Sequence, residues 1–250
     1  MGSENTRTIS IIKKDFHNHI REISYTRHLW QAWQDFTEVT ALAIVQSTGF
    51  SQDREDQYMR TIGKYEPKEI QIFPKLISLT IEALELEYCD FLGQMFMELE
   101  LGSKWHGQFF TPYNLCKVIA QLTISKDQFK DGQIVTINEP AVGSGAMIIA
   151  VCEYLRENNI NYQQQLDIIA QDKDYIAFCM SYIQLSLLGC SAKVIYGNTL
   201  TLESSLVWQT PIAFLNTHSP IPAMNMDIVA PAINQIVGCQ STLENIGADL

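Results

Sequence analysis

The chain carries no lysine or arginine after Lys193, and only three after residue 130 (Arg156, Lys173 and Lys193), set against eleven aspartates and glutamates. Gripping a phosphate backbone takes several cations, because affinity comes largely from releasing condensed counterions. The second half is therefore a poor nucleic-acid platform. Any contact with DNA is expected from residues 1–130, with 14 Lys/Arg and 17 Asp/Glu, or from a partner subunit. No uninterrupted apolar run approaches the ~20 residues of a membrane span, so no membrane is expected, and the polar residues 1–10 do not read as a secretory leader. The six cysteines include no C-x-x-C pair. Several lie inside apolar patterns, which reads as reduced core thiols in a cytoplasm. His17 and His19 stand two apart, a spacing that a helix sends to different faces, and no Cys/Asp group completes a metal site. A phosphate-binding Walker loop, a Ser-His-Asp pattern and a paired-carboxylate motif are all missing.

What remains is a chain of 250 residues, 46% hydrophobic, enough for one large core or two smaller ones. Residues 10–100 read as helices. Trp30, Trp33, Phe36, Thr40 and Ile44 recur at three- and four-residue steps, the pattern of a helix-bundle core rather than of base stacking. Residues 76–86 and 91–99 carry further stripes, and the polar stretch 51–67 reads as a connection with some helix in it. Thr111-Pro112 reads as a helix start, with threonine as cap and proline in the first turn, followed by Leu115, Val118, Ile119 and Leu122 on one face. From there the pattern alternates: strand 134–137, helix 147–157, strand 166–170, helix 175–188, strand 192–196. That order predicts an α/β fold with a parallel, Rossmann-like sheet behind a helical domain. Residues 210–215 read as one more strand, and residues 220–250 contain little that is periodic.

Between the first strand and its helix lies Glu139-Pro140-Ala141-Val142-Gly143-Ser144-Gly145-Ala146. Gly143 and Gly145 can adopt conformations closed to other residues, and the following helix start offers unpaired N–H groups. On spacing alone this is as compatible with a tight turn as with a ligand cradle. About thirty residues upstream stands Gly107-Gln108-Phe109-Phe110-Thr111-Pro112. Together the two segments resemble the N6-adenine DNA methyltransferases of the type I restriction-modification kind, in which "GQFFTP" precedes a "DPACGSG"-like loop.

The resemblance implies S-adenosylmethionine as cofactor, framed by Phe109, Phe110, Thr111 and Pro112, with Glu139, Pro140, Ala141, Gly143 and Gly145 around its amino-acid part. Asp172, following the second strand, matches the acid on the ribose, while Asp174 reads as the cap of the next helix. Asn198, in Gly197-Asn198-Thr199-Leu200, occupies the position of the family's adenine-pairing acid, although a plain turn fits it equally well. The family's [DNS]-P-P-[YF] motif, which grips the flipped adenine, has no counterpart. By spacing Asn216, in Asn216-Thr217-His218-Ser219, falls in that slot. His218 reads as an exposed loop histidine, and Trp208 and Phe214 as packing residues. The expected domains are a helical 1–105, a methyltransferase-like 106–222 and an irregular tail 223–250. The implied function is methyl transfer from S-adenosylmethionine to adenine in DNA. Its first rival is a catalytically silent cofactor-binding partner in a homo- or hetero-oligomer, and its second a structural protein whose loop binds nothing.

Overall fold

The computed structural model describes residues 7–24, 27–101 and 110–218. Among the described residues six helices come first: α1 (Ile9–Ile23), α2 (Leu29–Thr48), α3 (Gln52–Ile62), α4 (Pro67–Ile70), α5 (Ile72–Leu86) and α6 (Phe91–Glu98). The aromatic stripe on α2 is core, as its periodicity predicts. Trp33 and Phe36 are fully buried, and Phe16 of α1 meets both edge-on at 6.0 and 5.7 Å. Edge-to-face rings add to burial through their quadrupoles. The polar stretch 51–67 holds a regular helix, α3, with Asp53 and Glu55 in its first turn and Arg60 in its last, charges that complement the helix dipole.

Helix α7 (Tyr113–Thr123) leads into the sheet. Its cap residue is Pro112, and Thr111 contributes no side-chain cap bond, which moves the expected start by one residue. Of the residues read from sequence as sharing one face, Leu115, Val118 and Leu122 are 49%, 49% and 81% exposed. The small side chains of Cys116 and Ala120 face inward instead, letting α7 approach α8 (Ala146–Glu157) closely. Tyr113 and Lys117 both donate to the Glu153 carboxylate of α8 at 2.9 Å.

Strands β1 (Val135–Glu139), β2 (Leu166–Asp172) and β3 (Ser191–Asn198) are parallel and adjacent in that order. Helix α8 links β1 to the short α9 (Tyr162–Gln165), and α10 (Tyr175–Leu187) links β2 to β3. Leu166, Ile168, Ala170, Ala192 and Val194 are buried, whereas the alternating Asp167, Ile169, Lys193 and Ile195 are half-buried or exposed. One face of the sheet therefore packs on helices. A single apolar core runs from Ile12 through α2, α6 and α10 to Trp208. The expected boundary at residue 105 falls outside the described residues, as does the tail from 223.

The strand expected over residues 210–215 is a helix, α11 (Pro211–His218). Thr210 ends the ladder, giving its N–H to Ala192 O at 2.9 Å and its hydroxyl to Cys190 O at 2.6 Å. Pro211 has no N–H with which to continue and is pre-set for a helix start. The fourth strand is instead β4 (Glu203–Gln209), antiparallel to β3. Only four residues separate β3 from β4, too few for a parallel crossover. Most of β4 is exposed, so it shows no alternating pattern in sequence.

Candidate functional site

The carboxyl ends of β1, β2 and β3 lie side by side, and each is followed by a residue group singled out from sequence. Four hydrogen bonds hold the turn after β1. Val142 N–H donates to Gln171 O of β2 at 2.9 Å, and Gly143 N–H to the Asp172 Oδ2 carboxylate oxygen at 2.9 Å. The Thr199 hydroxyl donates to Pro140 O at 2.8 Å, and Ala141 N–H to Glu139 Oε1 at 3.2 Å. Gly143 takes φ +57° and Gly145 φ +104°. At Gly143 a side chain would also meet the Phe110 ring at 3.0–3.2 Å, so Phe110 lies directly over the turn. Phe110 is in turn backed by Phe96 of α6, 5.3 Å between centroids. Gly145 caps α8 with no side-chain bond, leaving backbone donors at that helix start for a ligand.

Asp172 is half-buried, and each of its oxygens takes one backbone N–H: Oδ2 from Gly143 and Oδ1 from Asp174, both at 2.9 Å. Burial, helped by the Asp174 charge, pushes its carboxyl above the ordinary carboxylate range, and the amides of Asp174, Gly143 and Lys173 pull in the opposite direction. A carboxylate oxygen has more than one lone pair, so both retain acceptor capacity. Asp174 caps α10, accepting from Ala177 N–H at 2.9 Å, as expected. Asn198 closes β3 half-buried, its Oδ1 accepting from Leu200 N–H at 3.0 Å.

The structure thus brings together Phe110, Glu139, Pro140, Ala141, Gly143, Gly145, Asp172 and Asn198 at one end of the sheet. Thr111 and Pro112 are exposed at the start of α7. Phe109 lies outside the described residues.

Asn216 is not with them. It sits on α11 with its amide nitrogen 3.5 Å from the Ser191 hydroxyl, at the amino end of β3. Asn198 is seven steps along β3 from Ser191, roughly 23 Å at ~3.3 Å per residue. The expected slot arose from reading residues 210–215 as a strand, and it moves with that correction. Trp208 packs against Phe178 at 4.7 Å and is buried, the expected packing role.

Sequence reasoning missed a buried polar cluster beneath the turn. Asp90, capping α6, accepts from the Ser144 hydroxyl at 2.6 Å and from Gln184 Nε2 at 2.8 Å. Gln184 also donates to Ser144 O at 2.7 Å. The available signal was Gln184, the amide side chain on the largely apolar α10.

The site fits a nucleoside cofactor with a charged amino-acid arm. It presents a glycine cradle under an aromatic ring, free backbone donors at a helix start, and an acceptor carboxylate one strand away. Among the described residues no group of three His, Cys, Asp or Glu is placed to hold a metal, and no helix is long and apolar enough to cross a membrane.

The family model for N-6 DNA methylase matches residues 90–228. A comparison with curated proteins finds no match. Among solved structures, a Listeria monocytogenes protein assigned to the class I S-adenosylmethionine-dependent methyltransferases is similar at 10% identity, over 75% of this chain and 52% of that one, with TM-score 0.41. The type I restriction-modification system methyltransferase subunit from Streptococcus thermophilus is similar at 15% identity, over 77% and 53%, with TM-score 0.37. The chain spans about half the length of these two structures. With more than half of its residues inside the family match, and the matched region carrying the glycine turn and Asp172, the chain belongs to the N-6 DNA methylase family.

Proposed function

We propose that this chain binds S-adenosylmethionine at the carboxyl ends of β1–β3 and acts in methyl transfer to the N6 amine of adenine in DNA. The observation that carries the reading is the Gly143 turn, stitched to Asp172 and roofed by Phe110, inside a region belonging to an adenine methylase family. In this reading Asp172 accepts from the ribose hydroxyls, using lone pairs left over from Gly143 and Asp174. Asn198 accepts from the adenine amine of the cofactor through its side-chain carbonyl. Glu139, Pro140, Ala141, Gly143 and Gly145 surround the amino-acid arm, and Phe110, with Phe109, Thr111 and Pro112, closes over it. The bound cofactor supplies a methyl group on a sulfonium centre. The protein's task is to hold that donor in line with an incoming amine and to keep water out, which is where orientation lowers the barrier.

The acceptor side of the site is not assigned to Asn216, which stands at the amino end of β3. DNA contact belongs to the first 130 residues or to a partner subunit, since the cations lie there. A reducing, cytoplasmic setting is part of the same proposal and is supported by five buried free cysteines.

The test pairs a direct measurement of cofactor binding with transfer of a radiolabelled methyl group to unmodified adenine-containing DNA. Binding together with turnover supports the full reading. Binding without turnover, by the chain alone, supports the silent-partner role, and absence of binding overturns both.

A further inference from the structure

We propose that Asp90 is a positioning residue for the cofactor turn: acting through Ser144 and Gln184, it sets the backbone of residues 143–145 from the helical half of the molecule. The inference rests on reading that turn as the cofactor site.

Asp90 does far more than cap a helix. Its Oδ1 accepts from Gly93 N–H at 3.1 Å, the ordinary cap bond of α6, and also from Gln184 Nε2 at 2.8 Å. Its Oδ2 accepts from the Ser144 hydroxyl at 2.6 Å. Gln184, fully buried on α10, closes the ring by donating to Ser144 O at 2.7 Å and accepting from Leu92 N–H at 3.0 Å. Both donors and the acceptor of that amide are therefore used.

A cap alone needs only the first of these bonds, and caps ordinarily lie near solvent. Asp90 is 3% exposed, and no cation is among the partners of its carboxyl, which burial raises above the ordinary range. Burying a carboxyl is costly unless donors converge on it, and here three do. Position 93 is shaped for the same contact, since a Cβ there would overlap both the Asp90 carboxylate and the Ser144 hydroxyl. The residue held by this cluster is the middle one of the turn. Ser144 is tied by hydroxyl and carbonyl to α6 and α10, while Gly143 on one side reaches Asp172 and Gly145 on the other donates to Val142 O at 2.9 Å. With Ser144 pinned, the turn presents its remaining backbone donors in one arrangement before any ligand arrives.

The test compares Asp90→Ala, Ser144→Ala and Asp90→Asn with the wild type. The asparagine can keep every contact: its Oδ1 still accepts from Gly93 and Gln184, and its Nδ2 donates to the Ser144 hydroxyl, which turns to accept. Affinity for S-adenosylhomocysteine is measured calorimetrically at a temperature where near-ultraviolet circular dichroism shows each variant folded. Both alanine variants should weaken binding by about tenfold or more, and Asp90→Asn should stay within about threefold of wild type. Hydrogen exchange without ligand provides a readout independent of binding. Amides of residues 143–145 should exchange at least about tenfold faster in the alanine variants, but not in Asp90→Asn, with β2 and β3 unchanged. Alanine variants that melt earlier yet keep wild-type affinity and wild-type exchange in the turn would reduce Asp90 to a structural cap and overturn the proposal. If the wild type itself binds no nucleoside, the cofactor reading fails, and the exchange measurement still decides whether Asp90 sets the turn.

Discussion

The Asp172 carboxylate accepts the backbone N–H of Gly143 at 2.9 Å, so the residue expected on the cofactor ribose also shapes the turn expected around its amino-acid arm. A change at Asp172 therefore acts twice. Asp172→Ala should lower S-adenosylmethionine affinity roughly ten- to a hundredfold, the effect of losing hydrogen bonds to a charged acceptor worth ~1.5–3 kcal/mol. Asp172→Asn, whose amide oxygen can still accept, should lie between alanine and wild type. Equilibrium binding of the three proteins checks the order.

Gly143→Ala should destabilise the turn even though methyl groups are small. The left-handed conformation costs a non-glycine residue ~1–2 kcal/mol, and the new Cβ would press on Phe110 at 3.0–3.2 Å. Adding Phe110→Ala should relieve only the steric share, so the double variant should recover part of the loss. Thermal melts of the two single variants and the double variant measure that coupling, and strict additivity would mean that the ring and the turn do not touch.

Asp90 should make stability depend on pH in a defined direction. Burial raises its carboxyl pKa above the ordinary 3.8, so the folded state retains a proton that the unfolded chain releases. The stabilisation contributed by this group is complete below the unfolded value and lost as pH rises through the raised one. Asp90→Asn has no proton to lose. Its melting temperature relative to wild type should climb as pH rises above the ordinary carboxylate value, and a difference that does not change with pH would show that the buried carboxyl does not titrate.

The fold was legible where periodicity and burial coincide. The α2 stripe, the βαβαβ order and the glycine turn rest on patterns set by the same side chains that form the core. What was illegible depended on partners distant in sequence. Leu115, Val118 and Leu122 look like a core face, but Cys116 and Ala120 win because small side chains let α7 sit closer to α8. Residues 210–215 look like a strand until Thr210 turns its hydroxyl into the ladder and Pro211 ends it. Asp90 and Ser144 lie 54 residues apart, and no local pattern announces that they meet.

For DNA, the geometry narrows the cations worth testing. Lys13 pairs with Glu98 at 2.7 Å, and Arg27 is engaged by Glu69 at 3.2 Å and lies over the Tyr65 ring at 4.0 Å. Lys14 and Arg21 are exposed along a cleft of about 570 Å³ beside α1. Neutralising Lys14 and Arg21 should weaken duplex binding and reduce the slope of log affinity against log salt by about two, about one per lost phosphate contact. Neutralising Arg27 should change it little. Fluorescence anisotropy across a salt series separates these cases, and binding insensitive to salt would remove α1 from the DNA surface.

Isothermal titration with S-adenosylmethionine measures cofactor binding at the carboxyl ends of β1–β3 with no other component present. Binding should be saturable, weakened by Asp172→Ala and unchanged by Asn216→Ala, because Asn216 lies at the far end of β3. Absence of both heat and thermal stabilisation at millimolar cofactor, or binding lost with Asn216 but kept with Asp172 replaced, would contradict it.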